Sequence, residues 1–149
     1  MAGVKACPTT SYTPFVLFRQ MVTKSLCCPC GSNNTYSACC GRYLDCGEIA
    51  ATAEALMRSR YVAYTLLRED YLLATWHVTS RPARLDLAGE ATSLWVGLEV
   101  KRHEQPDVHH AVVEFVARYK VNGRAHRLHE VSRFILEAGK WFYAGGDIG

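Results

Sequence analysis

Residues 109–144 read HHAVVEFVARYKVNGRAHRLHEVSRFILEAGKWFYA, and this stretch decides the architecture. Its apolar and polar residues alternate with period two, the spacing that sends successive side chains to opposite faces of a β-strand. Asn122-Gly123 and Ala138-Gly139-Lys140 interrupt the alternation with residues suited to tight turns. The reading is three strands, 109–121, 125–136 and 141–144, joined as two consecutive antiparallel hairpins. Leu94 to Val100 shows the same alternation upstream and supplies a fourth strand. On the second strand Glu114, Val116 and Arg118 share one face, with Phe115, Ala117 and Tyr119 on the other. On the third, Leu128, Glu130, Ser132 and Phe134 stand together, opposite His129, Val131, Arg133 and Ile135.

Before the strands the period changes. From about Glu48 to Leu73, residues Ala53, Leu56, Met57, Arg60, Tyr61, Tyr64, Leu67 and Tyr71 recur at intervals of three and four, which places them on one helical face. A break near Arg68-Glu69-Asp70 predicts one long helix followed by a short one. Helices first and a curled antiparallel sheet afterwards is an α+β plan. With 149 residues, 49% of them hydrophobic, the chain has material for one modest core and a small appendage.

A formal charge of +3, with no Lys/Arg cluster larger than a pair such as Lys101-Arg102, gives no footprint for nucleic acid. Phe15-Val16-Leu17-Phe18 is halted by Arg19, too short for a spanning helix or a signal peptide, so the expectation is a soluble, cytoplasmic chain with no membrane partner. Residues 1–20 mix Pro, Thr, Ser and Tyr without a period and read as a flexible leader, with Met21 as a candidate true start.

Cys27, Cys28, Cys30, Cys39, Cys40 and Cys46 crowd one segment, 27–46, that is rich in Gly, Ser and Asn. A disulfide framework would need a secretory route, so metal binding is the better explanation. Zinc takes four N or S ligands tetrahedrally, and two close thiolate pairs at the ends of a small loop supply them. Cys28-Pro29-Cys30 gives one pair and Cys39-Cys40 the other, with Cys27 or Cys46 as possible substitutes. Four protein ligands leave no open position for water, so the expected role of the zinc is structural.

Cys28-Pro29-Cys30-Gly31-Ser32, then Tyr36, then Cys39-Cys40-Gly41 resembles the SEC-C motif, whose pattern implies Cys28, Cys30, Cys39 and Cys40 as the ligands. Asn33 departs from the usual glycine, but Asn tolerates a left-handed backbone. The resemblance extends to the bacterial YchJ family through Leu56-Met57-Arg58-Ser59-Arg60-Tyr61, Tyr71-Leu72 with Thr75-Trp76-His77, Val113 to Tyr119, Glu130 to Phe134 and Trp141-Phe142-Tyr143. It implies a core, here 47–149, like nuclear transport factor two: a cone of helices over a curved sheet.

Arg60 lies at the centre of the apolar helical face, and a guanidinium cannot shed its charge to ease burial. The expectation is a pairing with Glu130 inside the cone, with Ser132, Tyr61, Tyr64, Trp76 and Tyr143 lining the same cavity. His109, His110, His126 and His129 read as packing or surface residues, and His77 as a cation closing the short helix. Three functions follow. The first is a binding or adaptor protein whose zinc module recognises a protein partner. The second is an enzyme of the ketosteroid isomerase or dehydratase type, with Glu114, Glu130, Tyr61 or Tyr64 moving protons. The third is a small-molecule carrier without turnover.

Overall fold

The computed structural model describes residues 27–87 and 92–149. The expectations for the leader and for Met21 lie outside these residues. The cysteine segment opens with a bridge between Cys27 and Thr35, a 3-10 turn over Tyr36–Ala38 and a short helix α1, Gly41–Leu44. Helix α2 spans Ala53–Thr65 and α3 spans Glu69–Ala74. The strands are β1, Ser93–Glu104; β2, His110–Val121; β3, Arg124–Glu137; and β4, Lys140–Ile148. They form one antiparallel sheet in the order β1-β2-β3-β4.

Helix α2 starts at Ala53 rather than near Glu48, because Thr52 caps it: the Ala55 amide donates to Thr52 Oγ1 at 3.1 Å. Leu67 adopts a positive φ of 56° after the helix ends, which produces the expected break before Glu69. Burial on α2 is wider than one stripe, since Ser59, Val62 and Ala63 are buried along with Leu56, Met57, Arg60 and Tyr61. The sheet covers one side, while the cysteine segment and α3 cover the other. Ser59 Oγ closes the second side, bonding the Leu56 carbonyl and the Tyr71 hydroxyl, each at 2.7 Å.

Both hairpins use paired left-handed residues, Asn122 and Gly123 at φ 50° and 77°, Ala138 and Gly139 at φ 50° and 76°. Such turns match the twist of the strands they join. Strand β4 runs past Ala144 through two glycines, and a bulge at Arg133/Phe134 absorbs the shift in register. Phe115, Ala117, Leu128, Ser132 and Phe134 turn inward toward α2, and Glu114, Arg118 and His129 turn outward. Glu114 is thereby removed from the proton-transfer candidates: on the outer face it takes Arg102 Nε at 3.2 Å and His129 Nε2 at 2.8 Å. No helix among the described residues is long and apolar enough to cross a membrane.

Candidate metal centre and cavity

The four sulfurs of Cys28, Cys30, Cys39 and Cys40 lie within 4.8 Å of one another. Cys30 and Cys39 are 3.6 Å apart and Cys39 and Cys40 are 3.9 Å apart. Gly31 and Asn33, at φ 78° and 65°, turn the loop that brings the first pair back toward the second. Gly41 allows the return, because a Cβ there would meet the Tyr36 carbonyl at 2.7 Å. The thiols are crowded enough to share protons. Hydrogen bonding with Cys30 pushes Cys28 up to about 12, while the bond from Cys28 holds Cys30 well below its ordinary value and drives Cys40 upward. Such a set of mutually close sulfurs can hold one metal ion in place of those protons. Cys27 is free and exposed, and Cys46 is engaged elsewhere; neither belongs to the cluster.

This segment is not a separate appendage in space. Cys28, Cys30, Tyr36 and Cys40 belong to the same buried cluster as Leu56, Val113 and Phe134. Arg58 of α2 donates through Nη1 to the Cys30 carbonyl at 2.7 Å. Arg68, after α2, reaches Asp45 and the Leu44 carbonyl at 3.3 and 3.1 Å.

Between α2 and the concave face of the sheet is a cavity of about 630 Å³. Of the expected lining residues, Arg60, Tyr61, Tyr64, Glu130, Ser132 and Tyr143 border it. Trp76 does not: it lies behind Tyr143, ring on ring edge-to-face at 4.9 Å, and bonds Ser80 through Nε1. The wall also includes Met57, Trp95, Phe115, Tyr119 and Phe134, which the sequence reading did not assign to it. Burial pushes the Tyr61 phenol up to about 12, against a bond from the Gly97 backbone.

The expected Arg60–Glu130 ion pair is absent among the described residues. Arg60, 5% exposed, donates through Nη1 to the Leu72 carbonyl and to Thr75 Oγ1, both at 2.7 Å. Its guanidinium carbon sits 4.4 Å from the Tyr143 ring and 5.1 Å from that of Trp76, so aromatic faces and a helix-end carbonyl replace a carboxylate as its partners. Burial lowers its pKa from the ordinary value. Glu130 takes different partners. Its Oε1 accepts from Ser132 Oγ and from the Tyr143 hydroxyl, each at 2.8 Å. Burial and the neighbouring carboxylate together push Tyr143 upward. Gly146 makes room for this carboxylate, since a Cβ there would stand 2.7 Å from Glu130 Cδ. Trp95 Nε1 is the one sealed side-chain nitrogen or oxygen without a partner among the described residues.

Three further histidines are engaged. His77 is buried and bonds Glu137 and Thr79, both at 2.7 Å, instead of closing α3. His110 bonds Asp107, and His126 stacks on Tyr119.

Comparison with known proteins agrees with this layout. Residues 52–146 match the YchJ middle NTF2-like domain, and residues 28–42 match the SEC-C motif. A UPF0225 protein of Chromobacterium violaceum is 56% identical over 123 residues, covering 80% of this chain and 90% of its own. One from Cupriavidus metallidurans is 52% identical over 127 residues, covering 81% and 88%. The solution structure of a SEC-C motif containing protein from Rhodopseudomonas palustris is similar with a TM-score of 0.73 at 35% identity, over 82% of this chain and 98% of that one. A crystal structure of a SEC-C motif containing protein from Psychrobacter arcticus gives 0.74 at 27% identity, over 87% and 86%. With a SEC-C cysteine cluster joined to an NTF2-like cone, and relatives matched over most of their length, the chain belongs to the YchJ-like UPF0225 family.

Proposed function

We propose that this protein binds a small molecule in the cone and uses one zinc ion to hold the segment that buttresses it. The observation that carries the reading is the cavity, about 630 Å³ with aromatic walls and a cluster of polar groups at one end, the form ligand sites take. Carriage fits better than turnover. Ser132 and Tyr143 both donate to Glu130 Oε1 and fix the carboxylate in place, which suits a group that recognises a ligand.

Zinc is supported by the donor set. At a zinc–sulfur distance of about 2.3 Å the edge of a tetrahedron is about 3.8 Å, and the sulfur separations of 3.6 and 3.9 Å bracket it. Four thiolates are the soft ligands that suit this ion, and they close its coordination, so its contribution is to folding. Metal binding requires the four ligand thiols to stay reduced. The exposed loop 31–35, carried on this rigid base, also favours a second role in gripping a protein partner.

Titration with 2-naphthol tests the cavity. It should shift the Trp95 indole resonance and lose its binding in Ala117→Phe, which fills the space from the sheet side. Undiminished binding to that variant refutes the reading. For the partner role, a Cys28→Ser/Cys39→Ser variant that keeps its cone and still retains every captured partner removes the proposal.

A further inference from the structure

Arg60 is almost fully buried beside a cavity, and only one of its three guanidinium nitrogens is used. Nη1 makes both hydrogen bonds, whereas Nε and Nη2 donate to nothing and no carboxylate stands within ion-pair distance among the described residues. Neither nitrogen is sealed, since Trp95 Nε1 alone has that status among the described residues, and Arg60 lines the cavity. The Nε–Nη2 edge is the planar fork that accepts two oxygens of a carboxylate. Leaving a buried guanidinium without a counter-charge is costly, and a ligand anion would relieve it.

Glu130 presents the converse. Oε1 takes two donors, and Oε2 takes none and is not sealed, on a residue that lines the same cavity. The two charges are close. Arg60 Cζ lies 4.4 Å over the Tyr143 ring, and the hydroxyl of that ring is 2.8 Å from Glu130 Oε1. With about 3 Å from ring centre to hydroxyl, the guanidinium and the carboxylate are within about 10 Å of each other.

We propose that the cavity binds a free α-amino acid with a large aromatic side chain, its carboxylate on the Nε–Nη2 edge of Arg60 and its ammonium on Glu130 Oε2. The proposal rests on the reading of the cone as a small-molecule site and names what occupies it. An α-amino acid carries both charges one carbon apart, so it meets both within the available span. A ligand with a single charge meets one partner and is repelled by the other, because an organic acid faces Glu130 and an amine faces Arg60. The rest of the lining selects the side chain. Phe115 pairs with Glu130 in the sheet, and Tyr119, four residues further along β2, pairs with Trp95. At ~3.3 Å per residue the wall continues for about 13 Å from the charged end. Met57, Tyr61 and Phe134 complete it, offering ring faces and edges to an indole or phenyl group.

Calorimetric titration of the full zinc-loaded chain with L-tryptophan, L-tryptophanamide, indole-3-propionate and 2-naphthol tests this. L-tryptophan should bind at least tenfold tighter than either truncated analogue. Arg60→Met should bring L-tryptophan to the level of the amide, and Glu130→Gln, which keeps an oxygen for Ser132 and Tyr143, to the level of the propionate. The proposal is overturned when either analogue binds wild type within tenfold of L-tryptophan, or when a folded variant keeps the tenfold preference. Should a variant fail to fold, the wild-type comparison decides alone. Binding of 2-naphthol without L-tryptophan overturns the amino-acid class and leaves the cavity reading intact. Binding of none of the four overturns both.

Discussion

Gly146→Ala puts the Glu130 arrangement to a quantitative test. In the native structure Glu130 folds across β4 at Gly146, and an added Cβ would lie 2.7 Å from Cδ and 2.9 Å from Cγ, contacts that side chains do not sustain. Gly146 pairs with Ser132 in mid-strand, so β4 cannot retreat without breaking its ladder, and the carboxylate must swing away. It then loses the bonds from Ser132 Oγ and Tyr143. Hydrogen bonds to charged groups contribute about 1.5–3 kcal/mol each, and partial recovery by rearrangement leaves a loss of roughly 2–4 kcal/mol. Gly→Ala returns about 0.4–1 kcal/mol by restricting the unfolded chain. The net is a destabilisation of about 1–3.5 kcal/mol, measured by urea unfolding of the isolated protein. In a Glu130→Ala background the clash has no partner, so the same substitution should be neutral or stabilising by up to about 1 kcal/mol. Equal costs in the two backgrounds, or a loss under about 0.5 kcal/mol in wild type, would refute the packing argument.

Other outcomes follow from the same geometry. Chelation should remove one equivalent of zinc per chain and move the amide resonances of residues 28–44 toward random-coil positions, as elemental analysis and NMR would show; a dispersed spectrum after complete removal contradicts a folding role for the ion. Trp95→Phe should change stability by no more than about 1 kcal/mol, because the lost ring volume is offset by removing an N–H whose unsatisfied burial costs about 1–3 kcal/mol. Arg68 holds the Asp70 carboxyl below its usual range by hydrogen bonding. A depressed folded pKa contributes stability above the unfolded value near 4 that fades as the pH falls through the folded one. Arg68→Ala should therefore flatten the stability profile below about pH 4, read by thermal unfolding across pH.

Much of this was legible because local chemistry set it. The hairpins are written in Asn122-Gly123 and Ala138-Gly139, the helix break in Arg68-Glu69-Asp70, and the sulfur cluster in two close cysteine pairs. Asn33 takes the left-handed backbone expected of it, at φ 65°. The cavity was only half legible. Period two placed Glu130 and Ser132 together on β3 and set Tyr119 on one face with Phe115 on β2, without assigning that face to the cavity, in a register unbroken from His110 to Val121. On β1 the register shifts at Trp95/Gly97 and again at Val100/Arg102, so parity carried no information about Trp95. The partner of Arg60 was misjudged for a different reason. Sequence offers carboxylates as candidates, whereas the Leu72 carbonyl and the face of Tyr143 are available only after α3 has folded against α2 and β4. Gly145-Gly146 reads as a strand end, and only the neighbouring strand shows that it is not.

Arg58 and Arg60 are two residues apart on α2, one gripping the Cys30 carbonyl and the other bordering the cavity. The sulfur cluster and the guanidinium are thus tied to the same helix. Thermodynamic reciprocity then requires any dependence of ligand affinity on zinc occupancy to appear, with equal magnitude, as a dependence of zinc affinity on ligand occupancy.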